Sequence, residues 1–113
     1  MKYIIAIIQP DRLDSVLERL TEKEIHLVTV SNVVGHGRQK GVSEVYRSFR
    51  EGGGLLKKIK LEIAVNDDFL EAAIEAVTVG ARTGNIGDGK IFVLDLERTI
   101  RIRTGEDGNA AIG

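Results

Sequence analysis

The chain has no cysteine, no tryptophan, one proline and only two histidines. Without cysteine there is no disulfide framework and no thiolate metal site. His26 and His36 are too few for a histidine-based metal cluster. Charge of one sign is also missing: 16 basic against 17 acidic side chains leave a net −1. A nucleic-acid partner normally demands a basic excess, so none is expected. Tyr3 and Phe92 are the only aromatics in strand-like stretches, too few for a base-stacking sheet. No apolar run is long enough to cross a bilayer, because Ile4 to Ile8 ends at Gln9-Pro10-Asp11. The N-terminus has no signal-peptide layout. The expectation is a cytoplasmic protein with no direct membrane insertion. No Ser/His/Asp or Cys/His set suggests nucleophilic catalysis.

What is present fits one domain, residues 1–113, of ordinary globular composition at 42% hydrophobic. Lys2 to Gln9 reads as a strand apolar on both faces, hence central in a sheet. Pro10 and Asp11 open a helix carrying Leu13, Val16, Leu17 and Leu20 at helical spacing. Leu27 to Val34 is β-branched and reads as a second strand. Lys58 to Val65 alternates, with Ile59, Leu61, Ile63 and Val65 on one face for the helices. Asp67 and Asp68 are candidate N-caps for a second helix bearing Phe69, Leu70, Ala73, Ile74 and Val77. Lys90 to Leu96 reads as the last strand. The order βαββαβ is that of an α+β, ferredoxin-like fold: one antiparallel sheet with both helices on one face. The other face then lacks a cover, and self-association is the simplest way to supply one.

Two stretches stand outside this periodic frame. Residues 35–57 are long, glycine-rich and aperiodic, with Arg38-Gln39-Lys40 at the base and Gly52-Gly53-Gly54 near the tip. Loops of that length in a small domain are usually functional or disordered. The second stretch is Gly84-Asn85-Ile86-Gly87-Asp88-Gly89-Lys90, which runs straight into a strand. Glycines let backbone N–H groups approach an anion, and the lysine adds a point charge. The spacing Gly-x-x-x-x-Gly-Lys matches most of the nucleotide-hydrolase phosphate loop. It fails where Ile91 replaces a Mg²⁺-binding hydroxyl and where a strand replaces a helix. Arg38, Lys40, Lys90, Arg101 and Arg103 could focus positive potential on a polyphosphate. In an extended segment Arg101 and Arg103 would point to one side. The competing account is a set of solvated salt bridges with Glu44, Glu97 and Glu106. An acylphosphatase-like phosphoesterase would need an anion cradle directly after the first strand, where the chain has only Gln9-Pro10-Asp11-Arg12. A ligand-free oligomeric interaction domain is the third reading.

Four blocks in order carry a resemblance over nearly the whole chain. They are Gly35-x-Gly37-Arg38-Gln39-Lys40-Gly41; Glu44-x-Tyr46-Arg47; Ala81-Arg82-Thr83-Gly84-x-Ile86-Gly87-Asp88-Gly89-Lys90-Ile91-Phe92-Val93; and Ile100-Arg101-Ile102-Arg103-Thr104-Gly105-Glu106. Together they resemble the PII family of trimeric signal-transduction proteins. The resemblance implies a homotrimer that is not an enzyme. It implies competitive binding of ATP and ADP between subunits, with 2-oxoglutarate joining Mg-ATP, and regulation of nitrogen metabolism through the long loop, about 36–56. Arg38, Gly87, Asp88, Gly89, Lys90, Arg101 and Arg103 would hold the phosphates. Ile7, Thr29, Gly35, Glu62, Ala64 and Phe92 would frame the nucleoside, and Gly37 belongs to the same site. Gln39 would reach the Mg²⁺. Lys58 would pair with a 2-oxoglutarate carboxylate, and Gln39, Lys40, Gly41 and Gly87 would complete that pocket.

The departures from the family concern control. Glu51 stands where many relatives carry a modifiable tyrosine, and Phe49 where some carry a serine. No modification is therefore expected at Glu51. Gln9 and Asn85 occupy two positions that are commonly basic. The target implied by the resemblance is an ammonium transporter, a nitrogen-assimilation enzyme or a transcription regulator. The segment from about 97 to 113 forms a C-terminal extension of the domain.

Overall fold

Alternation in the third apolar stretch organises the fold. In the computed structural model, which describes residues 1–36 and 55–113, four strands form one antiparallel sheet. They are β1 (Lys2–Ile8), β2 (Thr29–Gly35), β3 (Leu56–Val65) and β4 (Gly89–Asp95), in the order β2-β3-β1-β4. Helix α1 (Leu13–Glu22) follows β1, and helix α2 (Leu70–Ala81) follows β3. Each is preceded by a short 3₁₀ turn, Pro10–Arg12 and Asp67–Phe69. The sheet order and both helices agree with the ferredoxin-like expectation.

One face of the sheet supplies the core. Ile4, Ala6 and Ile8 of β1 register with Ile63, Leu61 and Ile59 of β3, and all six are buried. Val16 and Leu20 of α1 and Ala73, Ala76 and Val77 of α2 close over them. The helices pack closely at Gly80: a Cβ there would lie 2.8 Å from the Val16 Cα. Only a glycine admits that approach. The Arg12 side chain donates a 3.0 Å hydrogen bond to the Gly80 carbonyl, meeting an unpaired acceptor at the end of α2.

Several local expectations need correction. Asp67 and Asp68 do not cap α2. Asn66 takes the cap position of the preceding turn, with no side-chain cap bond. Asp67 instead accepts a 2.8 Å bond from the Met1 ammonium, a full charge that competes better than a backbone amide. Phe69 falls in the 3₁₀ turn, 40% exposed, off the helix's apolar face. Pro10 to Arg12 form a 3₁₀ turn rather than the first residues of α1. The strand ends shift by one or two residues. Leu27 and Val28 precede β2, Leu56 and Lys57 already pair in β3, and Gly89 opens β4.

Candidate functional site

Residues on the sheet face opposite the helices alternate with the core set. On β3 these are Lys58, Lys60, Glu62 and Ala64, and on β1 Tyr3, Ile5 and Ile7. The register assembles them into rows. Ser31, Lys60, Ile7 and Lys90 lie side by side, as do Thr29, Glu62, Ile5 and Phe92, and then Ala64, Tyr3 and Leu94. The nucleoside-framing candidates Ile7, Thr29, Gly35, Glu62, Ala64 and Phe92 therefore share one face with Lys58 and Lys90. Among the described residues no layer covers that face: Phe92 and Leu94 are each 48% exposed.

Glu62 is held by neighbours that sequence reasoning missed. The Tyr3 hydroxyl donates to Glu62. The Lys60 ammonium lies 3.7 Å from the other carboxylate oxygen. The hydrogen bond to Glu62 and partial burial both raise the Tyr3 pKa. The signal was available: Lys58-x-Lys60-x-Glu62-x-Ala64 has the period of two that places four side chains on one face.

The glycine-rich turn sits at the end of this face. Asp88 folds it. Its carboxylate accepts from the Thr83 amide at 2.8 Å, the Gly84 amide at 2.9 Å and the Thr83 hydroxyl. The Thr83 hydroxyl bond first, then the two amides, hold the Asp88 carboxyl below the usual carboxylate range. With its carboxylate turned inward, Asp88 can offer an anion its backbone but not its side chain. Gly87 and Gly89 both have φ of +104°. A Cβ on Gly89 would come within 1.7 Å of the Ile7 carbonyl oxygen, so that position accepts only glycine. Lys58 donates a 3.2 Å bond to the Gly87 carbonyl. Burial lowers the Lys58 pKa, and Asp88 pulls it the other way.

Arg101 and Arg103 lie elsewhere. Ile8 registers with Gly89 and Lys2 with Asp95, so the glycine turn and the start of β1 mark opposite ends of the sheet. At about 3.4 Å per residue the ends are about 20 Å apart. The C-terminal segment is bound at the far end, through Leu96 N–H to Met1 O at 3.1 Å and Asn66 Nδ2 to Asn109 O at 3.3 Å. Arg101 and Arg103 belong to that segment. They do not flank an extended residue as expected: Ile102 to Thr104 form a turn, closed by Gly105 N–H to Arg101 O at 2.7 Å. Arg101 pairs with Glu106, as the salt-bridge account had it. One chain thus supplies the glycine turn at one end and the two arginines at the other.

The long loop leaves the sheet beside the glycine turn. Gly35 pairs with Leu56, and three residues along β3 Ile59 pairs with Ile8, the partner of Gly89. Gly37, Arg38, Gln39, Lys40, Gly41, Phe49, Glu51 and Gly52 to Gly54 lie outside the described residues. Among the described residues no group of three or more His, Asp or Glu side chains could hold a metal.

Residues 1–106 match the family described as nitrogen regulatory protein P-II. The chain belongs to the PII family. It is 55% identical over 114 residues to nitrogen regulatory protein GlnK1 of Methanosarcina mazei, spanning 99% of this chain and 97% of that one. It is 51% identical over 112 residues to nitrogen regulatory protein P-II 1 of Escherichia coli K12, spanning 99% and 100%. Among solved structures, Arabidopsis thaliana PII bound to citrate superposes with a TM-score of 0.81 at 39% identity, covering 98% of this chain and 88% of that one. Membership of PII makes the chain a nitrogen-regulatory signal-transduction protein, not an enzyme, and one that acts on target proteins. Among the described residues no helix is long and apolar enough to cross a membrane.

Proposed function

We propose that the chain is a homotrimeric, cytoplasmic sensor. It binds ATP and ADP competitively in clefts between subunits and takes up 2-oxoglutarate with Mg-ATP. It signals to its target through the loop of residues 36–56. One observation carries this reading: the candidate site is half-built in a single chain. The turn Gly87 to Lys90 lies at one end of a sheet face that no described residue covers, the nucleoside-framing residues run along that face, and Arg101 and Arg103 lie at the other end. A second copy is the simplest source of the missing half. The residues fit an anionic guest. Gly87, at a φ of +104°, has no Cβ to keep an anion off its backbone, Lys90 is exposed, and Lys58 is a half-buried ammonium beside the turn. The Arabidopsis relative is described as bound to citrate, a tricarboxylate. Lys58 would suit one carboxylate of 2-oxoglutarate in the same way.

Loop control follows from position. The loop base at Gly35 and Leu56 adjoins the glycine turn, so a ligand there contacts the loop differently in different loop states, which is what coupling requires. Mg²⁺ would be held through Gln39 and the ligands themselves. The target belongs to the classes named above: ammonium transporter, nitrogen-assimilation enzyme or transcription regulator.

Calorimetry tests the reading. ATP and ADP should compete for one site per subunit. Lys90→Ala and Arg103→Ala should each cost roughly 1.5–3 kcal/mol of nucleotide affinity, the range for hydrogen bonds to charged groups. Unchanged affinity in both variants would place the phosphates elsewhere. No heat with any of the three ligands would leave a ligand-free interaction domain.

A further inference from the structure

The C-terminal segment is a closed unit built around Arg101. Its two limbs meet at a single bridge, Ile100 with Asp107, through Arg101 N–H to Glu106 O at 2.8 Å and Gly108 N–H to Thr99 O at 2.9 Å, with Arg98 and Asp107 paired at 2.6 Å. The last residues then fold back as a 3₁₀ turn, Gly108–Ala111. They return to the guanidinium itself. Arg101 Nη1 donates to Glu106, and Nη2 donates to the backbone oxygens of Ala110, at 3.0 Å, and of Gly113. Ile112 is half-buried and, with Ile25, Leu27 and Phe69, lines a cleft of about 200 Å³. Asn66 anchors the turn from the side by its bond to Asn109.

We infer that residues 110–113 are an internal competitor for Arg101, so that docking of this tail and binding of a nucleotide phosphate are linked. The inference rests on the nucleotide reading above and adds regulation to it. A guanidinium presents its donors in one rigid planar fork. Nη2 already serves two tail backbone oxygens, and Nη1 serves a carboxylate. A phosphate arriving from a second copy must take over one or both Nη2 bonds. A charged phosphate is a stronger acceptor than the Ala110 carbonyl, so that exchange proceeds, but part of its free energy goes into releasing the tail. Because linkage is reciprocal, whatever loosens the tail tightens the nucleotide, and the nucleotide loosens the tail. Glu106 opposes the phosphate through charge, whereas the Ala110 carbonyl opposes it only by occupancy. Loosening the tail at Ile112 or Asn66 leaves every charged group of the site in place.

The test uses the full chain and ADP. Ile112→Ser weakens tail seating, and Asn66→Ala removes the lateral anchor; neither touches Arg101. Calorimetry should show ADP binding at least about fivefold tighter in Ile112→Ser, the low end of usual coupling factors. Asn66→Ala should shift affinity the same way. In the unmodified chain, hydrogen exchange of residues 108–113 should speed up when ADP is added. Equal or weaker ADP affinity in both variants overturns the inference, as does slower exchange at 108–113 with ADP bound. Arg101→Ala separates the two ideas. If it abolishes ADP binding while the tail variants leave affinity unchanged, the site reading stands and the competition does not. If the unmodified chain binds no ADP, both fall.

Discussion

The Lys58 ammonium donates a 3.2 Å hydrogen bond to the carbonyl oxygen of Gly87, joining the third strand to the glycine-rich turn 29 residues away in sequence. That bond leaves the ammonium with two further protons. Burial at this junction lowers the Lys58 pKa below its ordinary 10.5, the nearby Asp88 charge offsetting part of the effect.

A carboxylate guest at Lys58 would stabilise the charged form and raise the pKa again. The sign is then fixed. Affinity for 2-oxoglutarate, in the presence of Mg-ATP, should be fully present below the free-state pKa and be lost as pH rises through the bound-state value. Lys58→Met should reduce 2-oxoglutarate affinity much more than ATP affinity and flatten its alkaline pH dependence. Titrations at several pH values check this, and an unaltered pH profile in the variant would remove Lys58 from the site.

Gly89→Ala should be severely destabilising at the start of β4. The positive φ alone costs about 1–2 kcal/mol for a residue with a Cβ. The added carbon would also lie 1.7 Å from the Ile7 carbonyl oxygen, so backbone must move. Gly84→Ala is the control, with a φ of +91° but no atom within 4 Å. Urea unfolding should show a clearly larger loss for Gly89→Ala than for Gly84→Ala. Equal losses would mean that the close approach to β1 is not needed.

The turn should loosen in acid through Asp88. Its folded-state pKa is depressed, first by the Thr83 hydroxyl and then by the Thr83 and Gly84 amides. A depressed carboxylate stabilises the turn above its unfolded pKa and loses that contribution as pH falls through the folded value. Exchange at the Thr83 and Gly84 amides, corrected for its intrinsic pH dependence, should lose protection below pH 3.8, the ordinary value for this group. Asp88→Asn should bring the loss to neutral pH. Protection that ignores both pH and the substitution would contradict this account.

The proposed two-copy site makes a prediction about mixtures. In the proposed trimer, neither a trimer of Lys90→Ala chains nor one of Arg103→Ala chains would have an intact site. After unfolding and refolding an equal mixture, random assortment should restore about a quarter of the sites, because each interface draws one half from each neighbour. Nucleotide titration of the mixture should recover that fraction. No recovery, with mixed trimers verified by mass, would place both residues' contributions within one chain.

The fold was largely legible because its signals are local and periodic. Ile59, Leu61, Ile63 and Val65 declare a half-buried strand by alternation alone. The apolar spacing from Leu13 to Leu20 declares a helix. The family was legible from four short blocks, since the spacing between glycines and cations can be read without any knowledge of shape. Tyr3 was less visible than Lys60. Lys60 stands two residues from Glu62 on one strand, so the period of two carries that pair; Tyr3 reaches Glu62 from another strand, and adjacency across strands is not written in either strand.

Tertiary structure decided three things. Asp67 was read as a helix cap because caps are judged from neighbours in sequence, yet it meets Met1, 66 residues distant. Arg101 and Arg103 were read as extended and convergent with the glycine turn. The chain instead bends them into a turn at the other end of the sheet, where Arg101 holds Glu106 and the tail. The coupling of Lys58 to Gly87 likewise arises only when β3 and the turn before β4 are both laid against β1. By itself the sequence determined which residues are apolar, where the backbone must tolerate glycine and what charges are available, because these are properties of single residues and short periods. Which charges meet is a property of strand register and chain reversal. Those are set by burial of the whole apolar face, so only the folded sheet could decide them.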